Sequence, residues 1–166
     1  MDKKNNTHTI SLLVTNKPGV LIRCAQVFAR RGFNIDSLVV STTVNPKYSR
    51  MTITAQGDPG TLEQIIKQSA KLIDVIHAEE HCEESTVTRE YALIKIKSSP
   101  KTIAAIKKYA TKYKAKIVDE SNKLLIIEQA GTTAALDEFE EQMKKFTIVE
   151  MVRSGKLVMA KGLEET

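Results

Sequence analysis

The 166-residue sequence contains no apolar run near the roughly 18 residues that a membrane-spanning helix requires. Cysteine is also scarce. Cys24 and Cys82 lie far apart, one in a helical pattern and one near a strand end, so no disulfide is expected. The opening residues MDKKNNTH are not followed by the apolar core or cleavage site of a signal peptide. With 42% hydrophobic and 27% charged residues, we expect a soluble, cytoplasmic protein.

Catalytic motifs are missing as well. The sequence has no G-x-S-x-G, H-E-x-x-H, P-loop or G-x-G-x-x-G pattern, so we expect no catalysis by this chain. The best group of metal-ligating residue types is HAEEHC, which contains His77, His81 and Cys82. On a strand the two histidines share one face and the cysteine points to the other, so we expect no metal site.

The net charge of +5 is concentrated in the second half of the chain, and Lys95–Lys116 contains no Asp or Glu. This basic segment raises a nucleic-acid hypothesis. RNA-binding sheets of the ferredoxin-like kind use aromatic side chains on strands, and that pattern is absent here. We expect Tyr109 and Tyr113 instead to cover the apolar stripe of their own helix, formed by Ile103, Ile106 and Ala110.

The predicted secondary structure repeats. In the first half, hydrophobic periodicity predicts, in order, strand 8–14, helix 19–32, strands 33–43 and 49–57, helix 60–72 and strand 74–81. In the second half it predicts strand 90–97, helix 100–113, strands 115–120 and 124–130, helix 133–145, strand 148–153 and a short strand 156–160.

Two tandem βαββαβ units indicate an α+β fold of two ferredoxin-like domains. We place these domains at 1–84 and 85–166, with a polar boundary near 83–87. Each unit has a small core and open sheet edges, so we expect at least a dimer.

Two predicted helices carry apolar stripes that should face the core. In the first helix the stripe comprises Val20, Leu21, Cys24, Val27 and Phe28. In the second helix it comprises Leu62, Ile65, Ile66, Ser69 and Ile73.

The turn between the first strand and helix has the sequence VTNKPGVL. Asn16 is a turn or cap residue, Pro18 fixes φ and donates no hydrogen bond, and Gly19 permits close approach to the backbone. The helix N-terminus is then open, and its free N–H groups suit a carboxylate. The same residues also suit an ordinary strand-to-helix turn, and composition alone leaves both interpretations open.

Four segments in this order resemble a known family: NKPGVLIRCAQVFARRGFNIDSLVV, SRMTI, LEQIIKQSAKLIDV and IVEMVRSGKLVMAKG. They are similar to the regulatory small subunit of acetohydroxyacid synthase, also called acetolactate synthase. The resemblance runs from about residue 8 to residue 162 and implies an N-terminal ACT domain followed by a second ferredoxin-like domain.

The resemblance also implies a function. Small subunits of this family form homodimers through their ACT domains, carry no cofactor and stimulate a catalytic large subunit. That large subunit holds thiamine diphosphate, magnesium and FAD, and it opens the biosynthesis of valine, leucine and isoleucine. The small subunit confers feedback inhibition by valine, and leucine and isoleucine are alternative effectors.

In the family, the valine site lies between two ACT domains. Carried onto this sequence, the resemblance assigns Asn16, Gly19, Val20 and Leu21 to one half of the site, and Asn34 and Ile35 of a second copy to the other half. The backbone amides of Gly19 and Val20 would then bind the carboxylate, and oxygens of Asn16 and Asn34 would bind the ammonium. The alternative hypothesis is an ACT-type sensor that acts on nucleic acid through its basic second domain.

Overall fold

The computed structural model of the protein describes residues 7–163 and 166. These residues form two units. One comprises the described residues up to Thr88 together with those from Gly155 onward, and the other comprises Arg89–Ser154. No helix in the described part of the chain is long and apolar enough to cross a membrane.

The first unit contains one antiparallel sheet and two helices, with strand order β2-β3-β1-β4. Its elements are β1 (Thr7–Thr15), α1 (Val20–Arg30), β2 (Ile35–Thr42), β3 (Tyr48–Gln56), α2 (Pro59–Ser69) and β4 (Val75–Glu80). Side chains of alternate strand residues pack with α1 and α2 in one core. On the other face of the sheet, small polar residues are also buried, namely Thr9, Ser11, Thr52 and Thr54.

The second unit repeats this arrangement, with strand order β6-β7-β5-β8 and β9 paired to β5. Its elements are β5 (Thr86–Lys97), whose residues up to Thr88 group with the first unit, α3 (Ile103–Lys112), β6 (Lys116–Ser121), β7 (Leu124–Gly131), α4 (Thr133–Met143) and β8 (Ile148–Arg153). Strand β9 (Leu157–Ala160), which follows, belongs to the first unit. The predicted α+β class and the tandem βαββαβ order are confirmed.

The predicted domain limits, 1–84 and 85–166, remain a prediction. In the structure, residues from Gly155 onward group with the first unit. Their backbone is held there by contacts that sequence periodicity does not reveal, such as the Lys161 N–H donating to the Ser85 carbonyl at 2.9 Å. Strand β5 also begins earlier than predicted, at Thr86, whose hydroxyl donates to the Cys82 carbonyl at 2.7 Å.

The predicted helical stripes are correct at most positions and wrong at two. Helix α2 ends at Ser69, so Ile73 lies beyond it and is 95% exposed. Leu21 is 42% exposed, whereas Val20 is buried beside it. Leu21 therefore belongs to the outer side of the first turn of α1 and not to the core.

The two predicted tyrosines pack as expected. Tyr109 and Tyr113 contact the second core, and their rings lie 5.9 Å from Phe146 and 5.6 Å from Phe139. Ile106 and Ala110 are buried beneath them. The aromatic side chains of α3 thus serve the hydrophobic core, and they are not displayed as a stacking platform for bases.

Candidate functional site

The turn that precedes α1 leaves the helix N-terminus uncapped by any side chain. Gly19 occupies the N-cap position with φ of 83°, in the left-handed region that glycine tolerates best. Within the described residues, the N–H groups of Gly19 and Leu21 have no backbone acceptor, whereas the Val20 N–H donates to the Lys17 carbonyl at 3.4 Å. The N-terminus of α1 therefore has the free N–H groups that the sequence predicts at Gly19 and Leu21. The N–H of Val20 already makes a long hydrogen bond within the turn.

Asn16 fixes the turn to the hairpin between β2 and β3. Its backbone N–H donates to the Lys47 carbonyl at 2.7 Å, and its side-chain Nδ2 donates to the Pro46 carbonyl at 3.0 Å. Asn16 is therefore a turn residue and does not cap the helix. Its Oδ1 has no hydrogen-bond donor among the described residues, so this oxygen can accept a bond from a ligand ammonium.

An ion pair between the buried Asp74 and the half-exposed Arg23 supports the same turn. Asp74, which precedes β4, accepts bonds from Arg23 Nε at 3.0 Å and Arg23 Nη2 at 2.5 Å. Its other oxygen accepts from the Thr15 hydroxyl at 3.0 Å. These bonds from Arg23, and then that from Thr15, lower the pKa of the Asp74 carboxyl, so it is ionised at neutral pH.

Arg23 also lies against the glycine of the turn. A Cβ placed on Gly19 would lie 3.1 Å from Arg23 Nη1, so one guanidinium nitrogen is beside the open end of α1. Sequence reasoning missed Arg23 and Asp74, because Arg23 lies outside the apolar stripe of its helix and Asp74 is distant from it in sequence. The spacing of Arg23, four residues after Gly19, is the signal that could have found it.

The other predicted site residues, Asn34 and Ile35, lie at the opposite end of the sheet. Ile35 pairs with Ala55 of β3, and Ala55 pairs with His8 at the start of β1. Asn16, in contrast, follows Thr15 at the end of β1. At about 3.4 Å per strand residue, the level of Ile35 and the level of Asn16 are about 27 Å apart.

Ile35 nevertheless begins a strand that is available for pairing, and Asn34 directly precedes it. β2 is an edge strand of the four-stranded sheet, with the register between Ile35 and Ser37 shifted by a bulge. The Asn34 side chain donates through Nδ2 to Asp36 at 3.2 Å, which leaves its Oδ1 as an acceptor. Within one chain the structure therefore brings Asn16, Gly19, Val20 and Leu21 together, and it keeps Asn34 and Ile35 apart from them.

The second unit contains an equivalent turn between β5 and α3, but this turn has no glycine at the position that corresponds to Gly19. The Ser98 N–H donates to the Lys123 carbonyl at 2.7 Å, as Asn16 does to Lys47. A groove of about 260 Å³ lies beside this turn, lined by Ser98, Ser99, Pro100, Ile103, Glu120, Ser121, Asn122, Lys123 and Leu124. The position that corresponds to Gly19 is Lys101, and the Ser99 N–H bonds to the Thr102 hydroxyl at 2.9 Å. Helix α3, like α1, has no side-chain cap at its N-terminus, but it lacks the glycine of the first turn.

The histidines of the HAEEHC segment take part in other contacts. His81 Nε2 lies 2.6 Å from the hydroxyl of Ser11, and His77 Nε2 lies 3.2 Å from a carboxylate oxygen of Glu79. Burial is the main cause that lowers the pKa of His81. Over the described ranges, no three His, Cys, Asp or Glu side chains converge in a way that could hold a metal ion.

Two family models match most of the chain. One, described as an AHAS small subunit-like ACT domain, matches residues 10–77. The other, described as the small subunit of acetolactate synthase, matches residues 89–162. The two matches follow one another along the chain in the same order as the two βαββαβ repeats.

Individual proteins are similar over nearly their whole length. The chain is 44% identical to a probable acetolactate synthase small subunit of Archaeoglobus fulgidus, over 93% of this chain and 97% of the relative. It is 41% identical to an acetolactate synthase small subunit of Mycolicibacterium smegmatis, over 98% and 95%. A crystal structure of an acetolactate synthase small subunit from Thermotoga maritima superposes with a TM-score of 0.86 at 36% identity, covering 95% of this chain and 99% of that one.

Proposed function

The chain belongs to the acetolactate synthase small-subunit family, and from this premise we propose that it is a non-catalytic regulatory subunit that binds valine. Membership of the family and the ACT domain give it a regulatory role. Valine binding, stimulation of a large subunit and feedback inhibition are the proposal. The observation that carries it is the open N-terminus of α1 at Gly19, beside the free oxygen of Asn16.

The chemistry of this turn suits an α-amino acid. A carboxylate is stabilised at a helix N-terminus by free N–H groups and by the helix dipole, here at Gly19, with a weaker donor at Val20. The Arg23 guanidinium adds positive charge on the same side. The ammonium group of valine binds side-chain oxygens of Asn16 and Asn34. The isopropyl group of valine lies against Leu21 and Ile35.

A second copy of the chain completes the site. Because Asn16 and Ile35 lie at opposite ends of one sheet, a single chain cannot bring both to one ligand. In a two-fold dimer whose β2 edges face each other in antiparallel fashion, the first residues of β2 in one copy lie near the last residues of β2 in the other. The turn at Asn16 is bonded to the hairpin at that end, so the two half-sites approach each other.

Regulation requires a partner that carries the chemistry. We assign this role to a large subunit that holds thiamine diphosphate, magnesium and FAD, and we assign no cofactor to this chain. Valine inhibits only if it binds one arrangement of the complex more tightly than the other, since equal affinity for both shifts nothing. A pocket of this kind distinguishes side chains that differ by one methylene by only about 1–3 kcal/mol, so leucine and isoleucine are expected to be weaker effectors.

The test combines binding with activity. Calorimetry of the purified chain with valine, leucine and isoleucine should show saturable binding, strongest for valine. Acetolactate formation from pyruvate should be absent with this chain alone, higher for the large subunit when this chain is added, and lower again with valine. Absence of valine binding both to the chain alone and to its complex with the large subunit would exclude the proposed effector.

A further inference from the structure

The backbone of Gly155 lies directly on the outer face of β2. Gly155 has φ of 81°, and a Cβ placed on it would lie 2.6 Å from both the Cβ and the Oγ of Ser37 and 3.6 Å from Val39 Cγ2. Distances below 3 Å do not occur between such atoms, so the contact exists only because residue 155 has no side chain. Ser37 is also held by a hydrogen bond between its hydroxyl and that of Thr54, its pairing partner on β3.

Residues 155–161, which we call the strap, are anchored at both ends. At the far end, the Lys161 N–H donates to the Ser85 carbonyl at 2.9 Å and Lys161 Nζ donates to the Glu84 carbonyl at 2.8 Å. Between these ends, Val158 is buried and β9 pairs with β5. The strap is thus a packed element of the first unit and not a loose C-terminal extension.

The near end of the strap follows directly on the last residue of the second unit, which is itself hydrogen-bonded to β5. Ser154 is bonded to Tyr91 of β5 by its N–H, at 2.9 Å to the Tyr91 carbonyl, and by its hydroxyl, at 3.1 Å from the Tyr91 N–H. Gly155 is the next residue along the chain. The contact with Ser37 therefore lies two residues after the end of β8, and a single peptide bond joins Gly155 to Ser154.

The strap contact is also close to the second half of the proposed effector site. Ser37 lies two residues after Ile35, and the bulge in β2 falls between them at Asp36. Asp36 accepts a hydrogen bond from the Asn34 side chain. A bulge has no paired backbone at its extra residue, so it is the part of β2 most able to change when Asn34 and Ile35 acquire a ligand.

We propose that the strap couples the effector site to the second domain, with the contact between Gly155 and Ser37 as the link. Ligand binding at Asn34 and Ile35 alters the bulge at Asp36 and moves Ser37, and Gly155 transmits this change to β8. The inference rests on the proposed valine site, and it specifies how occupancy of that site is communicated. Since coupling is reciprocal, a change at Gly155 must alter the response to valine.

Gly155→Ala tests the link, with Gly162→Ala as its matched control. Both glycines have positive φ, at 81° and 73°, but a Cβ on Gly162 meets nothing within 4 Å. The control therefore reproduces the backbone strain without the clash. Coupling between sites typically changes affinity by about 5- to 150-fold. In the complex with the large subunit, Gly155→Ala should change the valine concentration for half-maximal inhibition at least about fivefold, and Gly162→Ala should not change it.

Ser37→Gly provides the rescue, because it removes both atoms that the new Cβ would strike. The double variant Gly155→Ala with Ser37→Gly should return to the inhibition of the single Ser37→Gly variant. If Gly155→Ala does not fold, Ser37→Val tests the same contact from the β2 side, with Gly155 intact. A wild-type response to valine in a folded Gly155→Ala or Ser37→Val chain, or failure of the rescue, would overturn the inference.

Amide hydrogen exchange separates this inference from the proposed function. In the full-length chain without valine, Gly155→Ala should accelerate exchange in residues 148–153 as well as in 37–42, and Gly162→Ala should leave both segments unchanged. If the wild-type chain binds no valine, the proposed effector is wrong. The strap is then judged by exchange alone, and unchanged rates in 148–153 would show that the contact with Ser37 transmits nothing to β8.

Discussion

Asn16 and Ile35 lie at opposite ends of one antiparallel sheet, about 27 Å apart along its strands. Asn16 follows the last residue of β1, whereas Ile35 is level with the start of that strand through Ala55. An amino acid spans only a small part of this separation. If both residues contact one ligand, they must come from two copies of the chain, and this requirement can be tested directly.

Mixed dimers should recover a defined fraction of the sites. Asn16→Ala and Asn34→Ala chains should each lose valine binding as separate proteins, because each site in either homodimer lacks one ammonium ligand. After subunit exchange at equal concentrations, half of the dimers contain one site with both asparagines, so about a quarter of all sites should bind valine. Calorimetry of the mixture measures this fraction. Mixing two batches of Asn16→Ala should recover none, and no recovery in the true mixture would contradict a shared site.

Gly19→Asp should abolish inhibition by valine and leave stimulation of the large subunit largely intact. The introduced carboxylate would lie beside Arg23 Nη1 and the free helix N–H groups, where the ligand carboxylate should bind. Loss of one charge-assisted interaction corresponds to about 10- to 100-fold in affinity.

Gly162→Asp is the matched control for that substitution, because it introduces the same residue at positive φ, with no neighbouring atom near its Cβ. Both variants should lose about 1 kcal/mol of folding stability from backbone strain. In inhibition assays on the two complexes, Gly19→Asp should be insensitive to valine, whereas Gly162→Asp should keep its sensitivity to valine. Full valine sensitivity in Gly19→Asp would refute the assigned half-site.

Arg153→Ala should destabilise the second unit strongly. Arg153 donates to the buried carboxylate of Glu90 at 2.6 Å and also bonds to Asp137 at 2.6 Å. Removing it leaves the charge of Glu90 buried without its cation, which typically costs about 3–5 kcal/mol. Lys95→Ala, which breaks the exposed pair with Glu150, should cost less than about 1 kcal/mol. Urea denaturation of both variants measures the difference, and equal losses would contradict this ranking.

Stability should fall as the pH drops below about 6.5, in part because of His81. Burial lowers the pKa of His81 in the folded protein, with Arg50 and His77 acting in the same direction and Glu79 opposing them. Between the lowered folded pKa and the unfolded value of about 6.5, the unfolded chain binds more protons, so acid favours unfolding. His81→Gln should reduce the loss of stability between pH 7.5 and 5.5.

The control for this titration is His77→Gln, which removes a histidine from the exposed end of the same segment. It should keep nearly the wild-type dependence of the urea midpoint on pH, because His77 is the smallest of the causes that act on the pKa of His81. A His81→Gln chain with an unchanged dependence would show that the contact between His81 and Ser11 does not contribute to the acid sensitivity.

Periodicity predicted the elements because each has one face that must be buried. Cys24, Val27 and Phe28 recur at helical spacing and all lie in the first core. The prediction was wrong at Ile73, where the apolar spacing continues past the end of the helix. Helix α2 ends at Ser69, and the spacing of apolar residues alone does not mark that end. The same spacing therefore does not show that Ile73 is exposed.

The candidate site was predictable in part. The Asn-Lys-Pro-Gly turn predicted an open helix end, because proline restricts φ and glycine tolerates the positive φ that the turn requires. Asp74 was not predictable, because it reaches Thr15 and Arg23 from far along the chain. Contacts of this kind depend on which strands are neighbours, and β4 is next to β1 only in the folded sheet.

The sequence by itself determined the two βαββαβ repeats, the family and the open turn at Gly19, since these follow from local spacing and from residues with restricted backbone angles. The tertiary structure alone decided that Asn16 and Ile35 are too far apart to share a ligand within one chain. It also decided that Gly155, beyond the last strand of the second repeat, packs on Ser37 of the first. Both results depend on strand register and on close approach between segments distant in sequence, which no local pattern of residues encodes.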